Sequence, residues 1–139
     1  MAMVAYNFQK QFADAIQSAQ KRQTVRAIRK NGHARVGEKL QLYTGLRTKA
    51  CRKLIDSDPI CTSVDDVEIH IKTTAEIERI IVGNKELNNQ EIEEFATADG
   101  FNARAGYSAR DAMATFFQKY HGNGIFRGNV IRWEVNNAL

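Results

Sequence analysis

The spacing of apolar positions predicts a mixture of helices and strands. Phe8, Phe12, Ile16 and Ala19 recur every three or four residues, with polar residues between them, which is typical of an amphipathic helix of about three turns. Other segments alternate apolar and polar residues with a period of two and are predicted as strands. These segments are 24–28, 39–43, 67–72, 76–82 and 131–135, with a less regular one at 49–55.

Two more helices are expected in the second half of the chain. A polar loop over 84–91 leads into a short acidic helix at 90–98. Ser108 and Asp111 resemble a capping box, and the apolar stripe behind them predicts a helix that ends near Tyr120. Three glycines between 122 and 128 are expected to loosen the chain before the last strand. Five to six strands with two or three helices, outside a regular βαβ order, predict the α+β class and a small mixed β-barrel.

The composition is that of an ordinary water-soluble domain. With 139 residues the chain fits one domain, 1–139, that can bury a core without crosslinks. It has no apolar run near the roughly 18 residues of a membrane span and no recognisable signal peptide, so a cytoplasmic protein without a membrane partner is expected. Cys51 and Cys61 are then interpreted as reduced thiols.

Charge is unevenly distributed along the chain. Residues 1–60 hold twelve Lys and Arg against four Asp and Glu, whereas 61–139 hold eight against twelve. A basic half indicates a face that meets an anion, most simply phosphate or RNA. A solvated surface without a partner is an equally good interpretation of charge alone.

At the centre of the basic half lies the string Lys21–Arg26 (KRQTVR). Thr24 and Arg26 are two residues apart on a predicted strand and project from the same face. A threonine hydroxyl becomes a nucleophile when a neighbouring base removes its proton, and Lys21 is such a base when burial or nearby cations, here Arg22 and Arg26, keep its amine neutral. Exposed charge on an edge strand is the simpler alternative.

This string, the preceding Phe8–Phe12 segment and the following Gly37–Tyr43 segment (GEKLQLY) together resemble the opening of an ASCH domain. The family signature K-x-x-T-x-R, followed by a G-(D/E)-x-L-x-L strand, matches in order and spacing. Residues 96–101 and the helix after Ser108 resemble the family's acidic segment and trailing helix. The likeness covers roughly 4–55 and 95–135, so 56–94 is a candidate insertion relative to the minimal domain.

The resemblance implies a small barrel related to the PUA fold that binds RNA or a modified nucleoside in a basic cleft. One bacterial branch hydrolyses the acetyl amide of acetylcytidine with Lys, Thr and Glu. Carried over to this chain, Lys21 becomes the base, Thr24 the nucleophile and Asp99 the acid, one methylene shorter than the family's Glu. Arg26 or a backbone amide is then expected to hold the oxyanion. Alternatives are a non-catalytic RNA-binding module, a ribonuclease-like member and a scaffold for protein interaction.

One aromatic and several cations near the second strand have the composition of a surface that stacks a base and follows its backbone. The full set of predicted RNA- or substrate-binding residues is Arg22, Arg26, Tyr43, Arg47, Lys49, Arg52 and Lys53. No metal or cofactor is expected, because His33, His70 and His121 are scattered without ligand spacing.

Overall fold

The computed structural model describes residues 3–135, which form eight strands and three α-helices. A 3-10 turn, Lys10–Phe12, precedes the first helix. The helices are α1 (Ala13–Gln17), α2 (Asn89–Ala98) and α3 (Ala109–His121). The strands are β1 (Val4–Phe8), β2 (Gln23–Ala27), β3 (Leu40–Thr44), β4 (Arg52–Lys53), β5 (Ile60–Ile71), β6 (Ile77–Val82), β7 (Lys85–Glu86) and β8 (Gly124–Glu134). This is the α+β class expected from the sequence.

The strands form two sheets. One has the order β1-β3-β4, with β1 parallel to β3 and β4 antiparallel to it. The other has the order β2-β8-β5-β6-β7 and is antiparallel throughout. Range 56–94 contributes β5, β6, β7 and most of α2, and β5 pairs along β8 from Ile60 to Ile71. This range therefore supplies three of the five strands of the larger sheet.

The hydrophobic core lies between the sheets and the helices. Trp133 and Ile131 are both buried, as their shared strand face indicates, and Met113 and Phe117 bury the apolar stripe of α3. The Ser108 capping box is present at the start of α3. Asn88 forms a second capping box before α2, and Asp99 is the C-cap of the same helix.

The structure corrects three expectations from the spacing. The helix predicted from Phe8 to Ala19 is shorter, because Val4–Phe8 is a strand that pairs with β3. Tyr6 and Phe8 bury the same face of that strand, so Phe8 fits the helical spacing only by coincidence. The glycines of 122–128 do not loosen the chain, since β8 already begins at Gly124 against β5. With β1 and the two-residue strands β4 and β7 added, the described residues hold eight strands rather than five to six.

None of the helices within residues 3–135 is long and apolar enough to cross a membrane. Cys51 is exposed and Cys61 is buried, and both are free thiols.

Candidate functional site

The short helix α1 ends at Gln17, and residues 18–20 connect it to the basic string that leads into β2. The amide of Lys21 donates to the carbonyl of Ala15 at 2.9 Å, which fixes the start of the turn. In β2, Thr24 pairs with Ile131 and Arg26 with Asn129 of β8. Thr24 and Arg26 are two residues apart on β2, so their side chains project from the same face of the strand, and both line a neighbouring hollow.

That hollow is a cavity of about 250 Å³ between β1, β2, the end of α2 and α3. Lys21, Thr24, Arg26 and Asp99 all line it. Most of the remaining wall is aromatic or comes from β1, namely Asn7, Phe8, Phe12, Phe101, Phe116, Phe117, Tyr120 and His121. The three residues predicted to carry chemistry therefore meet at one place, although 78 residues separate Lys21 from Asp99.

Lys21 is almost completely buried, with 2% of its surface exposed. Its Nζ donates to the carbonyl of Gln23 at 2.7 Å and to the carbonyl of Asp99 at 2.5 Å, and lies over the Phe12 ring at 5.0 Å from the centroid. Burial lowers the pKa of Lys21, since water no longer solvates the ammonium; Asp99 opposes this shift and Arg26 adds to it. The carbonyls of Gln23 and Asp99 thus accept two of the N–H bonds of the Lys21 amine.

Asp99 caps the C-terminal end of α2 and is 5% exposed. Its Oδ1 lies 3.7 Å from Lys21 Nζ and accepts a hydrogen bond from Gln23 Nε2 at 3.2 Å. Burial raises the pKa of Asp99, whereas Lys21 and the Gln23 amide lower it. The amine and the carboxyl group are thus both shifted toward their neutral forms by the same loss of water.

Thr24 is paired with Arg26 rather than with Lys21. Arg26 Nε donates to Thr24 Oγ1 at 3.0 Å, and its Nη2 donates to the carbonyl of Asn7 at 2.6 Å. The guanidinium lies 4.7 Å from the centroid of the Phe8 ring, and burial lowers the pKa of Arg26 to about 10, so it remains a cation at neutral pH. Within residues 3–135 no hydrogen bond joins Lys21 Nζ to Thr24 Oγ1.

Gly100 allows Lys21 to reach its position. It has a φ of +100°, and a Cβ placed there would lie 2.8 Å from Lys21 Cδ and 2.9 Å from Phe12 Cδ1. The stem of Lys21 therefore crosses the backbone where only glycine leaves room for it.

Most of the predicted RNA-binding residues lie away from this cavity. Apart from Arg26 they do not line it within the described chain. Arg22 is exposed directly before β2, and the others belong to the β3–β4 hairpin: Tyr43, Arg47, Lys49, Arg52 and Lys53. Two of them are engaged elsewhere, since Arg52 donates to Gln17 Oε1 at 2.9 Å and Lys53 pairs with Asp58 at 2.8 Å. The hairpin nevertheless lies beside the cavity rim, because the amide of Leu46 donates to Asn7 Oδ1 at 2.8 Å.

Sequence reasoning missed Gln23. Its amide links Asp99 to Arg132 of β8, whose Nε donates to Gln23 Oε1 at 3.3 Å. Because arginine only donates, Gln23 must turn its oxygen to Arg132 and its NH₂ group to Asp99. A polar residue on the strand face opposite Thr24 was the available signal, but its partners come from distant elements.

Comparisons of the chain with protein-family models, with curated proteins and with solved structures found no match.

Proposed function

We propose that the protein is an ASCH-type, PUA-like β-barrel that binds a modified nucleoside, free or within RNA, and hydrolyses an amide on its base. One observation carries this proposal: a buried amine, a threonine hydroxyl and a carboxyl group line one cavity with aromatic walls. At about 250 Å³ the cavity is smaller than the roughly 300–1,000 Å³ of sites for drug-sized ligands. A single base with a small acyl group, between flat phenyl rings, is a ligand of suitable size and shape.

In the proposed reaction the Lys21 amine takes the proton of Thr24 Oγ1, and that oxygen attacks the acyl carbon of the substrate amide. The tetrahedral intermediate expels the amino group of the base, which leaves with the proton from the Lys21 ammonium. Water, deprotonated by the neutral Lys21, then cleaves the acyl-threonine ester and restores the hydroxyl. Atoms and charge balance with one water consumed and one carboxylic acid released.

The neighbouring groups suit the separate steps. Arg26 already donates to Thr24 Oγ1, so its cation stabilises the alkoxide as the proton leaves. Asp99 Oδ1 lies 3.7 Å from Lys21 Nζ, and its negative charge stabilises the Lys21 ammonium that forms when the amine takes the proton of Thr24. Removal of water from both groups strengthens this electrostatic coupling. The amine approaches the hydroxyl once the substrate closes the cavity, since catalytic hydrogen bonds tighten in the substrate complex.

Binding without turnover is the second candidate. It is favoured by the hydrogen bonds of Lys21 Nζ, which go to the carbonyls of Gln23 and Asp99 and not to Thr24. In that case the amine only shapes the cavity, and the aromatic walls and Arg26 bind the base.

Turnover of acetylcytidine by matched threonine variants separates the two functions. Thr24→Ala removes the proposed nucleophile and is expected to abolish acetate release, while the dissociation constant for the nucleoside stays nearly unchanged. Thr44→Ala removes another buried threonine hydroxyl, on β3 outside the cavity, and is the control that retains activity. Lys21→Met is expected to lower the rate about 10²- to 10⁴-fold. Undiminished acetate release by Thr24→Ala would refute the covalent mechanism, and binding without release by the wild type would support the second candidate.

A further inference from the structure

A second and larger depression adjoins the cavity. It has a volume of about 1060 Å³ and lies between the 3-10 turn, the loop 100–107 and α3. We name it the α3 groove. The groove and the cavity share five wall residues, namely Gln9, Phe12, Phe101, Phe116 and Tyr120. The cavity and the groove are therefore adjacent and have these side chains in common.

The α3 groove is lined by cations without counterions. Lys10, Arg104 and Lys119 are exposed along it, and none of its lining residues within 3–135 is acidic. These three side chains form no ion pair with any described residue. A concave surface with charge of one sign concentrates the field and attracts a polyanion.

An exposed aromatic residue lines the same groove. Tyr107 is 38% exposed, and its hydroxyl is fixed by hydrogen bonds with Thr115 Oγ1 at 2.6 Å and the carbonyl of Asp111 at 3.2 Å. Backbone hydrogen bonds in both directions join Tyr107 to Arg104, at 2.6 and 2.9 Å. A fixed ring and several cations that line one groove are the groups that stack a base and contact its phosphate.

From these observations we infer that the α3 groove binds the nucleotides that flank the base held in the cavity, so that the natural substrate is single-stranded RNA. The inference rests on the proposed function, because it takes the cavity as the site of the modified base. The groove has about four times the volume of the cavity, which suits a short run of further nucleotides. An acidic peptide would satisfy the three cations but would leave Tyr107 and the aromatic cavity without a role.

Fluorescence anisotropy with a labelled oligoribonucleotide of about eight nucleotides tests the inference. The paired variant Arg104→Gln with Lys119→Gln is expected to weaken binding and to reduce the slope of log affinity against log salt by about 1.4, for two phosphate contacts on a single strand. Its turnover of free acetylcytidine is expected to match the wild type. Tyr107→Ala is expected to weaken binding about 5- to 150-fold, and Tyr107→Phe to retain it.

The matched control is Arg47→Gln with Lys49→Gln, which removes the same charge from the β3–β4 hairpin. If this control weakens binding more than the groove variant does, RNA follows the hairpin and the inference is wrong. Displacement of the RNA by an equal concentration of polyglutamate of the same length would also overturn it. A wild type that hydrolyses the nucleoside but has no affinity for the oligonucleotide refutes the groove and leaves the proposed function standing. Affinity without hydrolysis refutes only the catalytic proposal.

Discussion

Gly100→Ala is the sharpest test of how the cavity is built. The added methyl group would lie 2.8 Å from Lys21 Cδ and 2.9 Å from Phe12 Cδ1, and both side chains are already packed. Overpacking of this kind costs about 1–3 kcal/mol, and alanine at positive φ adds about 1–3 kcal/mol of backbone strain. The total is a large share of the roughly 5–15 kcal/mol that stabilises a domain.

Gly124→Ala separates these two contributions. Gly124 has a φ of +108°, close to the +100° of Gly100, but a Cβ there would have nothing within 4 Å. Both variants therefore carry similar backbone strain, and only Gly100→Ala carries the collision. We expect the free energy of unfolding, measured with urea, to be about 1–3 kcal/mol lower for Gly100→Ala than for Gly124→Ala. At about 4 °C per kcal/mol for this chain length, the melting temperatures would differ by several degrees.

A double-mutant cycle identifies the residue responsible. In a Lys21→Ala background the Cδ atom is absent, so Gly100→Ala should destabilise the protein less than it destabilises the wild type. Equal losses for the two glycine variants, or no coupling with Lys21, would refute the claim that Gly100 makes room for the Lys21 stem.

Two further predictions concern β2 and the cavity charges. In Gly128→Ala the added Cβ would lie 2.1 Å from the carbonyl oxygen of Arg26 and would separate β2 from β8. The variant should therefore have a much lower free energy of unfolding, measured with urea, and weaker ligand binding, measured by calorimetry. Asp99→Asn should lower the pKa of Lys21, because it removes the negative charge that raises this pKa, and Arg26→Gln should raise it, because it removes a positive charge that lowers it. The ¹³Cε resonance of Lys21 reports the titration. The pKa of Lys21 lies below 10.5 in the folded state. Between that folded-state pKa and 10.5 the unfolded state binds more protons than the folded state, so the stability contributed by Lys21 rises with pH in this range. Shifts of the same sign in both variants would contradict this electrostatic account.

The meeting of Lys21, Thr24 and Asp99 could be expected from the sequence, but the way it is achieved could not. The spacing of Thr24 and Arg26 on a strand places both on one face, and this is a local property. The partners of Lys21 Nζ are backbone carbonyls, one of them at the end of α2, and no side-chain pattern encodes them. The role of Gln23 could not be predicted for the same reason, since its partners Asp99 and Arg132 belong to other parts of the chain.

The strands show the same difference between local patterns and contacts made by residues distant in sequence. A strand with a clear period of two, such as the end of β5, could be predicted, because its Val67, Ile69 and Ile71 bury one face. Strand β1 could not, because its five residues overlap a helical spacing and its partner β3 lies more than 30 residues away. Local sequence patterns also do not show how the β3–β4 hairpin packs relative to the cavity. That its residues bind RNA remains a prediction.

The buried Lys21–Asp99 pair offers a final test of whether this arrangement exists for stability or for chemistry. Removing one partner of a buried pair leaves an unpaired group in the interior and typically costs about 3–5 kcal/mol, whereas replacing both with apolar residues of similar volume is often neutral or stabilising by about 1–4 kcal/mol. The double variant Lys21→Met with Asp99→Leu should therefore unfold at the same or a higher urea concentration than the wild type, while each single variant unfolds earlier. If the double variant is also inactive and no longer binds the nucleoside, the pair is retained for what it does to a ligand. A double variant less stable than both single variants would show that the amine and the carboxyl group support the fold itself, and would contradict the view that the pair is retained only for its effect on a ligand.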